Sequence, residues 1–196
     1  MRHPRLIPMA LAGICSILLV CRPSHAAEKW FASIYAGQYS NTALNEIIRL
    51  NTDFERSHVY VLSLGKELGT YKDVIGCEIE GQAAWHSGMQ HHEEVNCAFT
   101  LRWLPFFWDR YLDTSFAFGN GLSYATSDPE LEIREGDENK TNQLLYYILV
   151  EMDFALPRQP QWSIFVRIHH RSSVFGLIGN ITTGSNFVGL GWRYKF

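Results

Sequence analysis

The stretch Phe187-Val188-Gly189-Leu190-Gly191-Trp192-Arg193-Tyr194-Lys195-Phe196 decides the fold. Val188, Leu190, Trp192, Tyr194 and Phe196 repeat at every second position. Phe187, Gly189, Gly191, Arg193 and Lys195 fill the alternate positions. Successive side chains of a strand point to opposite faces, so a period of two reads as a strand with one apolar face. The same rhythm recurs upstream. In 143–155, Leu144, Tyr146, Ile148, Val150, Met152 and Phe154 oppose Gln143, Glu151 and Asp153. In 112–124, Phe116, Phe118, Leu122 and Tyr124 oppose a nearly all-small face of Ser115, Ala117, Gly119, Gly121 and Ser123. In 93–104, Val95, Cys97, Phe99, Leu101 and Trp103 oppose Asn96, Thr100 and Arg102. About eight such stretches are present: 28–37, 58–68, 73–86, 93–104, 112–124, 143–155, 161–172 and 185–196.

Alternation alone does not say which face is inside. A water-soluble sandwich or barrel would pack the aromatic face inward. Here the other face carries glycines and charges of both signs: Glu78, Glu80, Asp113, Glu151 and Asp153 against Arg102, Arg167, Arg193 and Lys195. That composition suits a narrow lumen stitched by ion pairs. The aromatic strand 187–196 also has the pattern of an outer-membrane sorting signal. In a bilayer the backbone must be fully paired, which forces strands to close into a barrel. The expected fold is therefore all-β: an eight-stranded antiparallel transmembrane β-barrel with a polar lumen and an apolar exterior. Loop lengths agree. The connections at 69–71, 105–110 and 157–160 are short, and those at 38–56 and 125–141 are long, as inner turns and outer loops of such barrels are.

Composition removes other classes. The chain has 196 residues and a formal net charge of −3, with 17 Lys+Arg against 20 Asp+Glu, so no basic nucleic-acid surface is expected. Arg2 and Arg5, the apolar run 6–20 and the small-residue site Ser24-His25-Ala26 read as a signal peptide over 1–26, with the barrel over 27–196. Beyond it lie two cysteines, Cys77 and Cys97, too few for a disulfide scaffold; whether they join is left open.

Chemistry concentrates at Arg167-Ile168-His169-His170-Arg171-Ser172-Ser173. Continuing the parity of Trp162, Ile164, Val166 and Ile168 puts His170 and Ser172 on the outer wall, at the end of the strand nearest the outer leaflet. Asn186 shares that parity on the next strand. Polar groups facing lipid are unfavourable, so the cluster asks for a reason. An imidazole two residues from a hydroxyl on one strand face can take its proton, and the alkoxide can attack an ester. Asn186 can orient the ring. The oxyanion donors would come from the backbone of 173–175, starting at Ser173, or from Asn180. A Ser-His mechanism implies no metal or organic cofactor. His86, His91, His92, Glu93 and Glu94 crowd an outer hairpin, but neighbouring histidines on a strand point opposite ways, and a solvated loop is the expectation. Glu151 and Asp153 are expected to serve ion pairing.

The run His170-Arg171-Ser172, with Gly184-Ser185-Asn186 and Tyr194-Lys195-Phe196, resembles the lipid A 3-O-deacylase family, the PagL-like and acyloxyacyl hydrolase-type barrels. The resemblance implies an eight-stranded outer-membrane barrel. It also implies a serine hydrolase site on the exterior and lipopolysaccharide as the partner. His170 would be the base, Ser172 the nucleophile, Asn186 the group in the acid's place, and Arg171 a holder of glucosamine phosphates. Ser173 stands where the family has asparagine, and no Asp or Glu follows Ser172. The alternative is a non-catalytic barrel that stabilises the envelope or binds through its outer loops. A homodimer is compatible with either.

Overall fold

The computed structural model describes residues 30–136, 139–174 and 182–196. The expected signal peptide over 1–26 lies outside them, as does Asn180. Eight strands form: β1 (Trp30–Ser40), β2 (Phe54–Tyr71), β3 (Ile75–Ser87), β4 (Glu93–Trp103), β5 (Asp113–Ala125), β6 (Leu144–Leu156), β7 (Gln159–Ser172) and β8 (Gly184–Lys195). Each pairs antiparallel with the next, and β8 returns to β1 to close the barrel. Closure leaves no unpaired edge, which is what a bilayer demands.

The aromatic faces point outward. Ile34, Leu62, Val95, Phe118, Leu190 and Trp192 are exposed along the wall. Trp30, Trp103, Trp162 and Tyr194 gird the end with short turns, while Tyr60, Trp85 and Tyr124 gird the other. Such twin girdles mark the two interfaces of a bilayer. No helix among the described residues is long and apolar enough to span a membrane.

The lumen is filled. Arg102, Arg167, Arg171 and Arg193 are among its largest fully buried side chains. Buried guanidinium groups persist only when paired and hydrogen-bonded. Arg102 donates to both Glu78 oxygens at 2.7 and 3.0 Å and to Glu151 at 2.7 Å. Arg167 donates to both oxygens of Glu80 at 2.7 and 3.0 Å. Arg193 donates to Glu151 and Asp153, each at 2.8 Å. Glu151 and Asp153 therefore serve ion pairing, as expected. Phe165 and Phe31 lie under these cations, with Arg193 4.8 Å from the Phe31 ring and Arg167 4.9 Å from that of Phe165. Gly191 is needed here, because a Cβ would come within 2.5 Å of the Phe165 ring.

Outer loops carry two short helices, α1 (Leu44–Ile48) and α2 (Glu130–Glu135). The second turns into the mouth of the barrel. Leu131 packs with Tyr39 and Phe187, and Glu132 is 0% exposed. The Glu132 carboxylate accepts from Ser185 at 2.8 Å and Thr141 at 2.7 Å, and its carbonyl accepts from Thr183 at 2.7 Å. Burial raises the Glu132 pKa above the ordinary glutamate value, with Arg171 pulling the other way. Cys97 is a free thiol, so no Cys77–Cys97 bridge forms; Cys97 faces Gly81, and Cys77 faces Leu101.

Candidate functional site

His170 on β7 lies directly opposite Asn186 on β8, and Ser172 opposite Gly184. All three polar side chains are half-buried on the outer wall. His170 Nδ1 is 2.7 Å from Asn186 Oδ1. An amide oxygen only accepts, so Nδ1 carries the proton and Nε2 keeps its lone pair.

What fixes the amide that way round is Thr42. Asn186 Nδ2 donates to the Thr42 carbonyl at 2.9 Å, which leaves Oδ1 facing the ring. Thr42 lies in the loop after β1. That loop is tied across its base: Asn41 N donates to the Asp53 carbonyl and Asp53 N to Thr42 Oγ1, each at 2.9 Å. A main-chain carbonyl more than a hundred residues away thus sets a histidine tautomer. Nothing in the sequence marks this role, since any residue supplies a carbonyl.

Ser172 is differently placed. Its Oγ accepts from Val174 N–H at 3.0 Å, in a tight turn where Val174 takes φ 52°. Among the described residues it has no hydrogen bond to His170. No carboxylate among the described residues bonds His170 either. Glu132 reaches Ser185, one residue from Asn186, but on the inner side of the wall.

Two expected substrate contacts need correction. Arg171 is 1% exposed and points into the lumen, where Nη1 lies 3.2 Å from Glu132 and Nη2 donates to the Gln143 carbonyl at 2.9 Å. The backbone N–H of Ser173, the expected oxyanion donor, donates instead to the Thr183 carbonyl at 3.0 Å, and the buried hydroxyl exchanges hydrogen bonds with the same residue's backbone. The reason is strand parity: residues one away from His170 and Ser172 face inward. Phe175 and Asn180 lie outside the described residues.

Beside the cluster, on its loop side, a depression of about 160 Å³ is lined by Asn41, Thr42, Glu135, Gly184 and Asn186. Below the cluster the wall is grooved. Farther down β1 and β8 lies a groove of about 350 Å³ beside Gln38, Val188 and Leu190. It shares Ala36, Tyr60 and Leu190 with one of about 540 Å³ beside Ile34, Leu62 and Trp192. Ala36, small and on the outward parity, opens it between larger flanks.

Known proteins add the following. No protein-family model matches the chain, and no curated protein matches its sequence. Solved structures do match. The outer membrane enzyme PagL superposes with a TM-score of 0.57 at 13% identity, over 84% of this chain and 98% of that one. This chain has the fold of the eight-stranded outer-membrane barrels. Neisserial surface protein A matches with a TM-score of 0.46 at 11% identity, over 86% of this chain and 97% of its own. The N-terminal barrel domain of Pseudomonas aeruginosa OprF gives 0.47 at 9%, over 86% and 97%. Likeness at these identities concerns the fold; function has to be argued from the site.

Proposed function

We propose that the protein is an outer-membrane serine esterase that removes an ester-linked acyl chain from lipid A of lipopolysaccharide. The observation that carries the reading is the His170–Asn186 hydrogen bond on the outer wall, with the amide pinned by Thr42 and Nε2 left basic. The site resembles that of lipid A deacylases at His170-Arg171-Ser172, and PagL, an outer membrane enzyme, shares the fold.

The reaction begins as Ser172 turns from Val174 toward His170. Nε2 takes the hydroxyl proton as Oγ attacks the ester carbonyl. The Val174 N–H, released from Oγ, is then free to donate to the oxyanion. As the C–O bond breaks, His170 gives that proton to the departing sugar oxygen, which leaves as the alcohol. Water, deprotonated by the same imidazole, cleaves the acyl-enzyme to fatty acid and Ser172. The acyl chain lies in the wall groove below Asn186. Asn186 orients the ring but supplies no charge, so the rate falls short of a carboxylate triad.

Mass spectrometry of lipid A from cells with and without the protein tests this. Loss of one acyl chain with the wild type, and none with Ser172→Ala, is the expected result. Unchanged acylation with the wild type would overturn it. A second reading, a non-catalytic barrel, is favoured by one observation: Ser172 is engaged by Val174 and not by His170. That reading requires His170→Ala and Ser172→Ala to be silent while deletions in the outer loops are not. Labelling by a fluorophosphonate in detergent with added lipopolysaccharide separates the two.

A further inference from the structure

Beneath the α2 plug, on the inner face of the wall, lies a second polar cluster that the esterase reading does not use. His86 on β3, His92 in the following hairpin and Glu94 on β4 place one ligating atom each within 4.8 Å of the others. His91, next to His92, is exposed, so parity has separated the two neighbours. His92 is 6% exposed, and neither ring nitrogen has a hydrogen-bond partner. A buried imidazole with both nitrogens unpaired is unfavourable and asks for an explanation.

The surroundings are built as ligand supports are. Tyr35 OH and His169 Nδ1 are 2.7 Å apart, and His169 Nε2 is 2.9 Å from Glu94 Oε1. With Tyr35 donating, His169 donates to Oε1 and holds the carboxylate, leaving Oε2 turned toward His86 at 2.9 Å. Metal-ligating groups are oriented by outer hydrogen bonds of this kind. Gln90 Nε2 lies 3.1 Å from His86 Nδ1. Turning that amide over, with loss of its 3.4 Å hydrogen bond from Leu131 N–H, presents its oxygen to Nδ1–H and leaves the lone pair of His86 Nε2 for a metal. Arg171 sits closer to Glu132, at 3.2 Å, than to Glu94, at 3.9 Å, so its charge is largely answered elsewhere.

We infer that His86, His92 and Glu94 form a binding site for one divalent transition-metal ion of the zinc class, closed within the outer mouth of the barrel. Two imidazoles and one carboxylate suit zinc, cobalt or nickel, whereas calcium and magnesium require mostly oxygen ligands. The His86 and His92 rings stack, with centroids 4.1 Å apart and planes 12° apart, so one ring turns as the ion binds; the ion would then give His92 its missing partner and would join β3, the hairpin and β4 under α2. Water completes the coordination. The site is structural and separate from Ser172, which lies on the other face of the wall.

The test uses the untagged protein folded in detergent, stripped with a chelator and titrated with cobalt chloride, then displaced with zinc chloride. One equivalent with a tetrahedral cobalt absorption band is expected. His92→Ala should weaken binding at least about tenfold, and His91→Ala should leave it unchanged. Absence of cobalt or zinc binding at about 100 μM overturns the site, since sites of this donor type bind far more tightly. So does binding that His92→Ala leaves intact. Should His92→Ala lose the heat-resistant mobility of a folded barrel, X-ray absorption of the zinc-loaded wild type decides. Two imidazoles with a carboxylate support the site, and an all-oxygen or single-imidazole shell overturns it. Lipid A deacylation is not a readout here, so the two proposals fail independently.

Discussion

Asn186→Asp offers the sharpest perturbation of the proposed site. The substitution is isosteric and keeps an acceptor 2.7 Å from His170 Nδ1, but it adds a negative charge. That charge matters only once His170 takes the Ser172 proton and becomes an imidazolium. Unit charges about 4 Å apart attract by about 4 kcal/mol at an effective dielectric of about 20. Against this stands the lost donation to Thr42: Asp cannot donate, and its oxygen would face a carbonyl oxygen that now accepts at 2.9 Å. The loss is about 1–2 kcal/mol. The net gain is about 2 kcal/mol in the transition state, or roughly 30-fold in rate. Fatty acid release from lipopolysaccharide micelles, timed by mass spectrometry, measures it, with Ser172→Ala as the zero. A rate equal to or below that of the wild type, in a correctly folded barrel, would refute the argument that the missing carboxylate limits this site.

Other expectations follow from the wall and the lumen. Glu151→Gln removes the charge shared by Arg102, Arg167 and Arg193 and should destabilise the barrel by about 3–5 kcal/mol, read as a lower urea midpoint in detergent. Phe118→Arg places a charge on the lipid face near mid-strand and should cost about 2–4 kcal/mol of folding stability in vesicles, whereas the same change at the rim residue Phe196 should cost little. Glu132 has a raised pKa, so the folded state holds its proton more tightly than the unfolded one. Stability of the plug should therefore fall as pH climbs from the ordinary glutamate value through the raised one. Glu132→Gln should flatten that dependence in a protease-protection assay on the outer loops.

Much of this barrel was legible because period-two alternation is a direct consequence of strand geometry. The stretch 143–155 becomes β6 (Leu144–Leu156), and 185–196 becomes β8 (Gly184–Lys195). Placement of His170, Ser172 and Asn186 on one outer face follows from the same parity. Parity applied one residue further would also have turned Arg171 inward. The remainder was hidden because it depends on contacts distant in sequence. Thr42 acts through a carbonyl, which carries no residue signature. The α2 plug rests on Glu132 meeting Thr183 and Ser185. His86 and His92 looked like members of a solvated hairpin. Cross-strand pairing, with His86 N donating to the His92 carbonyl at 3.0 Å, puts both rings inside.

The Thr42 latch opens a route by which the cell surface acts on the proposed site. The rigid wall supplies the serine, the imidazole and the amide, yet the amide's facing is dictated by a loop that projects toward the medium. Anything that grips that loop and draws it outward, such as an antibody or a polysaccharide strand, frees the amide to spin. The imidazole then loses its preferred proton position without any atom of His170 or Ser172 being touched.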